Sequence, residues 1–269
     1  MAVFMPGLTP VLAQGIAVTH CQGQCPRYDS TMAANRANIV VHHLFAAGVN
    51  GDTGLPDWVA YQLTPAAVGV ASLLPREWQP DPLVEFSDAS ELMTLGNSEI
   101  SLAEVSRPVN AYSGLNESTS KHEDRARLVP MTSFANTPYW YELNNLSNMV
   151  PMPSALRLGA WLQLEQAVNQ VVVRKEQLYV VSGPLFLINQ ALNSGDSAAA
   201  FDPAAYFKVV VGANGYAAFV FREDLDQHES FCSQRGELEQ IQRMTGLKLF
   251  PEREIRQSAT LLAELGCQG

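Results

Sequence analysis

Asp124-Arg125-Ala126-Arg127 carries three charged side chains in four residues, and its reading decides the fold. In an extended strand alternate side chains share a face. His122 and Asp124 then lie on one side and Arg127 on the other. Taken alone, Asp124 beside Arg125 reads either as an ion pair holding a strand or as part of a polar site. The context outward from this tetrapeptide chooses between them.

Downstream, Leu156, Trp161, Leu164 and Val168 recur at near-helical spacing and predict a helix over residues 154–169, with Ser154 as its cap. Leu178-Tyr179-Val180-Val181-Ser182-Gly183-Pro184 predicts a buried strand ending in a turn. Residues 207–211 and 216–221 predict a hairpin around Gly212-Ala213-Asn214-Gly215. Residues 238–244 predict a helix stopped before Gly246. Upstream, residues 39–43 and 58–63 read as strands, with a turn-rich loop from Gly48 to Gly54 between them. Residues 75–82, with three prolines, read as irregular, and residues 113–120 as a polar stretch leading into Asp124. Strands and helices in this mixture, without repeat or linker, give one α+β domain.

The bulk numbers bound the function. The chain has 269 residues, 47% hydrophobic and 16% charged, enough to bury a full core. Its net charge of −10 excludes a broad basic face for nucleic acid, so any phosphate contact must come from a local cluster of cations. No run of 18 or more apolar residues occurs, which excludes a membrane-spanning helix. The apolar start through Val11-Leu12-Ala13 makes residues 1–13 a signal-peptide-like segment lacking the usual basic stretch, with a domain over 14–269. An export signal and an even count of four cysteines point to a secreted or periplasmic protein with disulfides. Three pairings are open, and Cys21 with Cys25 and Cys232 with Cys267 is the simplest. A metal site on these thiols is disfavoured, since no Cys-x-x-Cys pair occurs.

Several segments together resemble the Serratia-type nonspecific nuclease family. These are Cys21 and Cys25 in Cys-x-x-x-Cys spacing, Asp57-Trp58-Val59-Ala60-Tyr61, and Arg76-Glu77-Trp78-Gln79-Pro80-Asp81-Pro82. They continue through Leu146-Ser147-Asn148-Met149-Val150-Pro151, Gly159-Ala160-Trp161-Leu162-Gln163-Leu164-Glu165, Val181-Ser182-Gly183-Pro184 and Thr245-Gly246-Leu247-Lys248-Leu249-Phe250-Pro251. The resemblance implies a ββα-metal nuclease fold, an antiparallel sheet with flanking helices, and the same two local disulfides. It also implies hydrolysis of DNA or RNA, and a homodimer as a further partner.

Phosphodiester hydrolysis needs a base for the attacking water and a cation on the phosphate. In the family the base is the histidine ending Asp-Arg-Gly-His, and Mg²⁺ is held by an asparagine on the following helix. Here Arg127 stands at the histidine position, Ala126 at the glycine and Arg157 at the asparagine. A guanidinium has no lone pair to accept a proton or bind a metal. Loss of the base alone is worth roughly 10²–10⁴ in rate. Met152 and Asn169 also depart from the family's glutamine and arginine. Arg76, Arg125 and Glu165 match catalytic positions, with Asp124 and Asn148 supporting them. Glu165 follows Arg157 by eight residues and can share its helix face. If the strand is extended there, His122 faces away from Arg127 and is not expected to replace the base. In the adjacent pair His42-His43, one ring is expected buried and the other exposed.

The expectation is a degenerate nuclease whose Arg76, Arg125, Arg127 and Arg157 form a cleft for nucleic acid or another phosphate-bearing anion, without metal. Alternatives are a weakly active endonuclease, using Mg²⁺ or using Arg157 as a fixed cation, and a structural protein acting as an inactive dimer partner.

Overall fold

The computed structural model describes residues 18–29, 37–50, 54–85, 125–175, 177–186 and 203–267. The strands are β1 (Arg27–Tyr28), β2 (Ala37–Val41), β3 (Ala46–Asn50), β4 (Pro56–Leu63), β5 (Arg125–Arg127), β6 (Met149–Pro151), β7 (Leu178–Leu185), β8 (Ala205–Gly212), β9 (Gly215–Arg222), β10 (Arg235–Gly236) and β11 (Leu247–Lys248). The α-helices are α1 (Pro82–Glu85), α2 (Ser154–Leu158), α3 (Ala160–Arg174), α4 (Leu238–Thr245) and α5 (Ala259–Glu264). Seven strands form one sheet in the order β10-β9-β8-β7-β4-β3-β2, antiparallel throughout. Two small pairs, β1 with β11 and β5 with β6, lie outside it.

The central strand β4 is buried on both faces, and its successive side chains reach opposite cores. Val59, Tyr61 and Leu63 pack with Trp161, Leu164 and Val168 of α3. Trp58 and Ala60 pack with Leu238 and Ile241 of α4 on the other side. Each fully buried aliphatic side chain of this kind contributes roughly 1.5–3 kcal/mol. The α+β class and the antiparallel sheet with flanking helices are therefore present. Two disulfides, Cys21–Cys25 and Cys232–Cys267, resolve the open pairing.

The turn of β8 into β9 spans Ala213-Asn214, with Gly212 opposite Gly215. The αL cap of α4 is Gly246, at φ 66°. Several local readings need correction. Gly48 belongs to strand β3, not to a turn. A Cβ on it would sit 2.2 Å from Trp58 Nε1, so glycine serves close packing here. Pro184 lies inside β7 rather than ending it. Its partner on one side is Tyr206, while the ladder to β4 runs from Ser182 to Leu178, so the missing N–H interrupts no bond there.

The helix expected over 154–169 is two helices, broken at Gly159 (φ −96°, ψ −120°), and the second runs on to Arg174. A Cβ at Gly159 would meet the Gln227 carbonyl at 2.5 Å. Ser154 is already the first helical residue, one position too late to cap, and Pro153 precedes it. His42 and His43 lie in the turn after β2 rather than in a strand. One is nonetheless buried and the other exposed, as expected. Residues 1–13, 113–120, His122 and Asp124 fall outside the described residues.

Candidate active-site cleft

β5 pairs with β6 through Arg125–Pro151, Ala126–Val150 and Arg127–Met149. Ala126 is buried, and the two arginines are half-buried on the opposite face. That face opens into a cleft of about 310 Å³ lined by Arg76, Arg125, Arg127, Arg157, Trp161 and Glu165 among others. Arg76 comes from the irregular segment before α1, Arg157 from the last turn of α2, and Glu165 from α3. The break at Gly159 thus separates Arg157 and Glu165 onto two helices, but both still line one cavity.

Arg127 is held on three sides. Its Nη2 donates to the Arg76 carbonyl at 3.0 Å and to Asn144 Oδ1 at 2.6 Å. Its guanidinium carbon lies 4.1 Å from the Trp78 ring centroid. Burial, then the neighbouring Arg76 and Arg157, lowers its pKa to about 10, so it stays protonated at neutral pH. Burial also lowers the pKa of Arg125. Among the described residues, the buried Nε of Arg127 and the buried Nε and Nη1 of Arg125 have no hydrogen-bond partner. Buried charged donors left unsatisfied are costly, and an anion entering the cleft would satisfy them.

Glu165 is 9% exposed and Lys208 only 1%. Lys208 Nζ donates to Glu165 Oε1 at 3.0 Å and sits 3.9 Å from the Trp161 ring centroid. Burial raises the Glu165 pKa, and Lys208 opposes that rise. Lys208 was not singled out in the sequence, although a lone lysine within Tyr206-Phe207-Lys208-Val209-Val210 carries a signal. A charge in a strand buried on both faces must find a partner. Trp78, within the Arg76–Pro82 segment, and Asn144 reach Arg127 only through the fold.

Asn148 does not line the cleft. It is fully buried, its Oδ1 accepts from Val129 N at 2.8 Å, and its Nδ2 donates to the Val129 and Leu143 carbonyls at 3.1 and 3.0 Å. It pins the chain that follows β5 to the turn that precedes β6. Asn169 accepts from Ser133 Oγ at 2.7 Å and donates to Thr132 Oγ1 at 3.1 Å, tying α3 to the loop behind the cleft. Met152 is fully buried in the core.

The side chains of this cleft do not suit Mg²⁺. The cation prefers oxygen ligands. Among the described residues the one carboxylate lining the cleft is Glu165, already paired with Lys208, and guanidinium groups offer no lone pair.

Residues 26–254 match the family described as DNA/RNA non-specific endonuclease. The chain is 29% identical over 238 residues to a protein named "Nuclease" from Serratia marcescens, covering 86% of this chain and 80% of that one. Among solved structures it is similar to one titled "Crystal structure of the EndoG/EndoGI complex: Mechanism of EndoG inhibition". The TM-score is 0.57 and the identity 16%, over 80% of this chain and 86% of that one. At that identity the likeness shows the fold.

Proposed function

Because the chain belongs to the DNA/RNA non-specific endonuclease family, we propose that it is a degenerate member that binds phosphate groups of nucleic acid without metal and no longer cleaves them. One observation carries the reading. The cleft gathers Arg76, Arg125, Arg127 and Arg157, and buried N–H groups of Arg125 and Arg127 in it lack partners among the described residues. Such donors select an anion with several oxygens, which a phosphodiester supplies. By the family resemblance, Arg127 occupies the base position and Arg157 the metal-ligand position. Protonated at neutral pH, Arg127 takes no proton from water. Export belongs to the same proposal, since the disulfides Cys21–Cys25 and Cys232–Cys267 persist in an oxidising compartment.

The test measures binding of a fluorescent single-stranded oligonucleotide in EDTA across a salt series. A cleft of about 310 Å³ admits one or two phosphates, so log K should fall against log salt with a slope of about −0.7 to −1.4. No binding at low salt, or a flat salt response, overturns the proposal. Plasmid digestion with Mg²⁺ forms the second arm. The Arg127→His/Arg157→Asn double variant should cut, at a rate at least about 10² above the parent. A parent that cuts as fast as the double variant refutes degeneration.

A further inference from the structure

A second cavity, of about 760 Å³, opens beside the arginine cleft at the turn between β2 and β3. Its lining includes His43, Glu142, Tyr141, Gln79, Asn145 and Leu83. Among the described residues no Lys or Arg lines it, and a carboxylate does. Electrostatics therefore disfavours a phosphate here and allows a neutral ring.

His43 has the features of a prebuilt stacking surface. Its side chain is 58% exposed, yet it is held at two points. Its backbone N–H donates to Glu142 Oε2 at 3.0 Å, and its Nδ1 lies 2.6 Å from Glu142 Oε1. One face of its ring lies flat on Tyr139, with centroids 3.8 Å apart and planes 3° apart. A ring held in this way loses little conformational freedom when a ligand stacks on it. Tyr141, 46% exposed, adds a second aromatic surface on the same lining.

The two cavities share one thin partition. Asn144 accepts from Arg127 on the cleft side, while the next residue, Asn145, lines the second cavity. Trp78 stacks under Arg127, while the next residue, Gln79, lines the second cavity. Gln79 N donates to the Asn144 carbonyl at 3.0 Å, and Gln79 Nε2 donates to Asn145 Oδ1 at 2.8 Å. Along two segments bridged in parallel at Gln79 and Asn145, neighbouring residues thus contact Arg127 of the cleft and line the second cavity in turn.

We propose that this cavity is a nucleobase subsite, in which a base stacks on Tyr141 and His43 while its phosphate lies among the arginines next door. This rests on the phosphate-binding reading above and names its substrate class. A base can enter only if it is unstacked from a duplex, so the ligand is single-stranded nucleic acid.

The experiment compares, in EDTA, a fluorescent single-stranded DNA oligonucleotide, an abasic phosphodeoxyribose chain of equal length, and a duplex. One stacked base gives the intact strand about a tenfold advantage over the abasic chain. Tyr141→Ala should remove most of that advantage, Tyr141→Phe should retain it, and neither should alter binding of the abasic chain or the duplex. Tyr141 is 46% exposed and outside the buried core, so these variants keep the fold. Equal binding of intact and abasic chains overturns the base subsite and leaves the arginine cleft standing. So does a Tyr141→Ala loss that is the same for both. If neither chain binds, the arginine-cleft reading falls and takes the subsite with it.

Discussion

Replacing Lys208 by Met would leave the Glu165 carboxylate buried without its counter-charge. The two groups are 1% and 9% exposed, with Nζ and Oε1 3.0 Å apart. At an effective dielectric of about 20, charges at that separation attract by about 5 kcal/mol. Desolvation offsets much of this in the intact pair, but none of that cost is recovered for Glu165 when only Lys208 is removed. Methionine keeps the aliphatic packing of the stem and loses the contact with Trp161, which lies 3.9 Å from Nζ. The single variant should lose about 4 kcal/mol of stability. The double variant Lys208→Met/Glu165→Leu, with both charges gone, should lie within about 1 kcal/mol of the parent.

The assay is urea unfolding by linear extrapolation, at about pH 8 and about pH 5. The pH arm has a definite sign. Burial raises the Glu165 pKa and Lys208 lowers it, so removing Lys208 raises it further. A carboxyl whose folded pKa exceeds its unfolded value contributes stability that is full below the unfolded value of 4.5 and lost as pH rises through the folded value. The deficit of Lys208→Met is therefore smaller at the lower pH. A single-variant loss under about 1 kcal/mol, a double variant no better than the single, or a deficit that grows on acidification would refute the reasoning.

Asn148→Ala orphans Val129 N, Val129 O and Leu143 O, all in buried residues, and should cost about 3 kcal/mol. A shift in urea midpoint without a change in slope checks this, and a loss below about 1 kcal/mol would contradict the clamp. Removing the Cys232–Cys267 bridge by paired serines releases a loop of sequence separation 35 and should cost about 4 kcal/mol. The Cys21–Cys25 bridge, of separation 4, should cost about half that, and thermal melts of the two variants test the ranking.

Much of the fold was legible because local chemistry sufficed. Gly246 ends α4 in a left-handed conformation that glycine adopts without strain, and Gly212 with Gly215 frames a two-residue hairpin turn. The strand-forming residues of β4 and the apolar spacing of α3 report buried elements directly. Errors arose where a distant partner set the local conformation. Gly48 was read as a turn residue because Trp58 stacks over it only across β3 and β4. At Gly159, where the helix breaks, the space a side chain would need is taken by the Gln227 carbonyl, far along the chain. Asn148, which the family resemblance gives as a supporting residue, makes all three of its hydrogen bonds to backbone groups that only folding brings to it.

The sequence by itself determined the chemistry available at each position. A guanidinium at 127 and at 157 lacks a lone pair in any fold. It also determined the family resemblance, because ordered segments with fixed spacings carry it. Only the tertiary structure decided which groups meet. Arg76, Arg125, Arg127 and Arg157 come from an irregular segment, a strand and a short helix, and they share a cleft because those elements pack together. The pairing of Lys208 with Glu165, 43 residues apart, and the two-point hold of Glu142 on His43, 99 residues apart, have the same origin. Side-chain chemistry is a property of one residue. The distances that turn it into a site are set by the packing of the whole core.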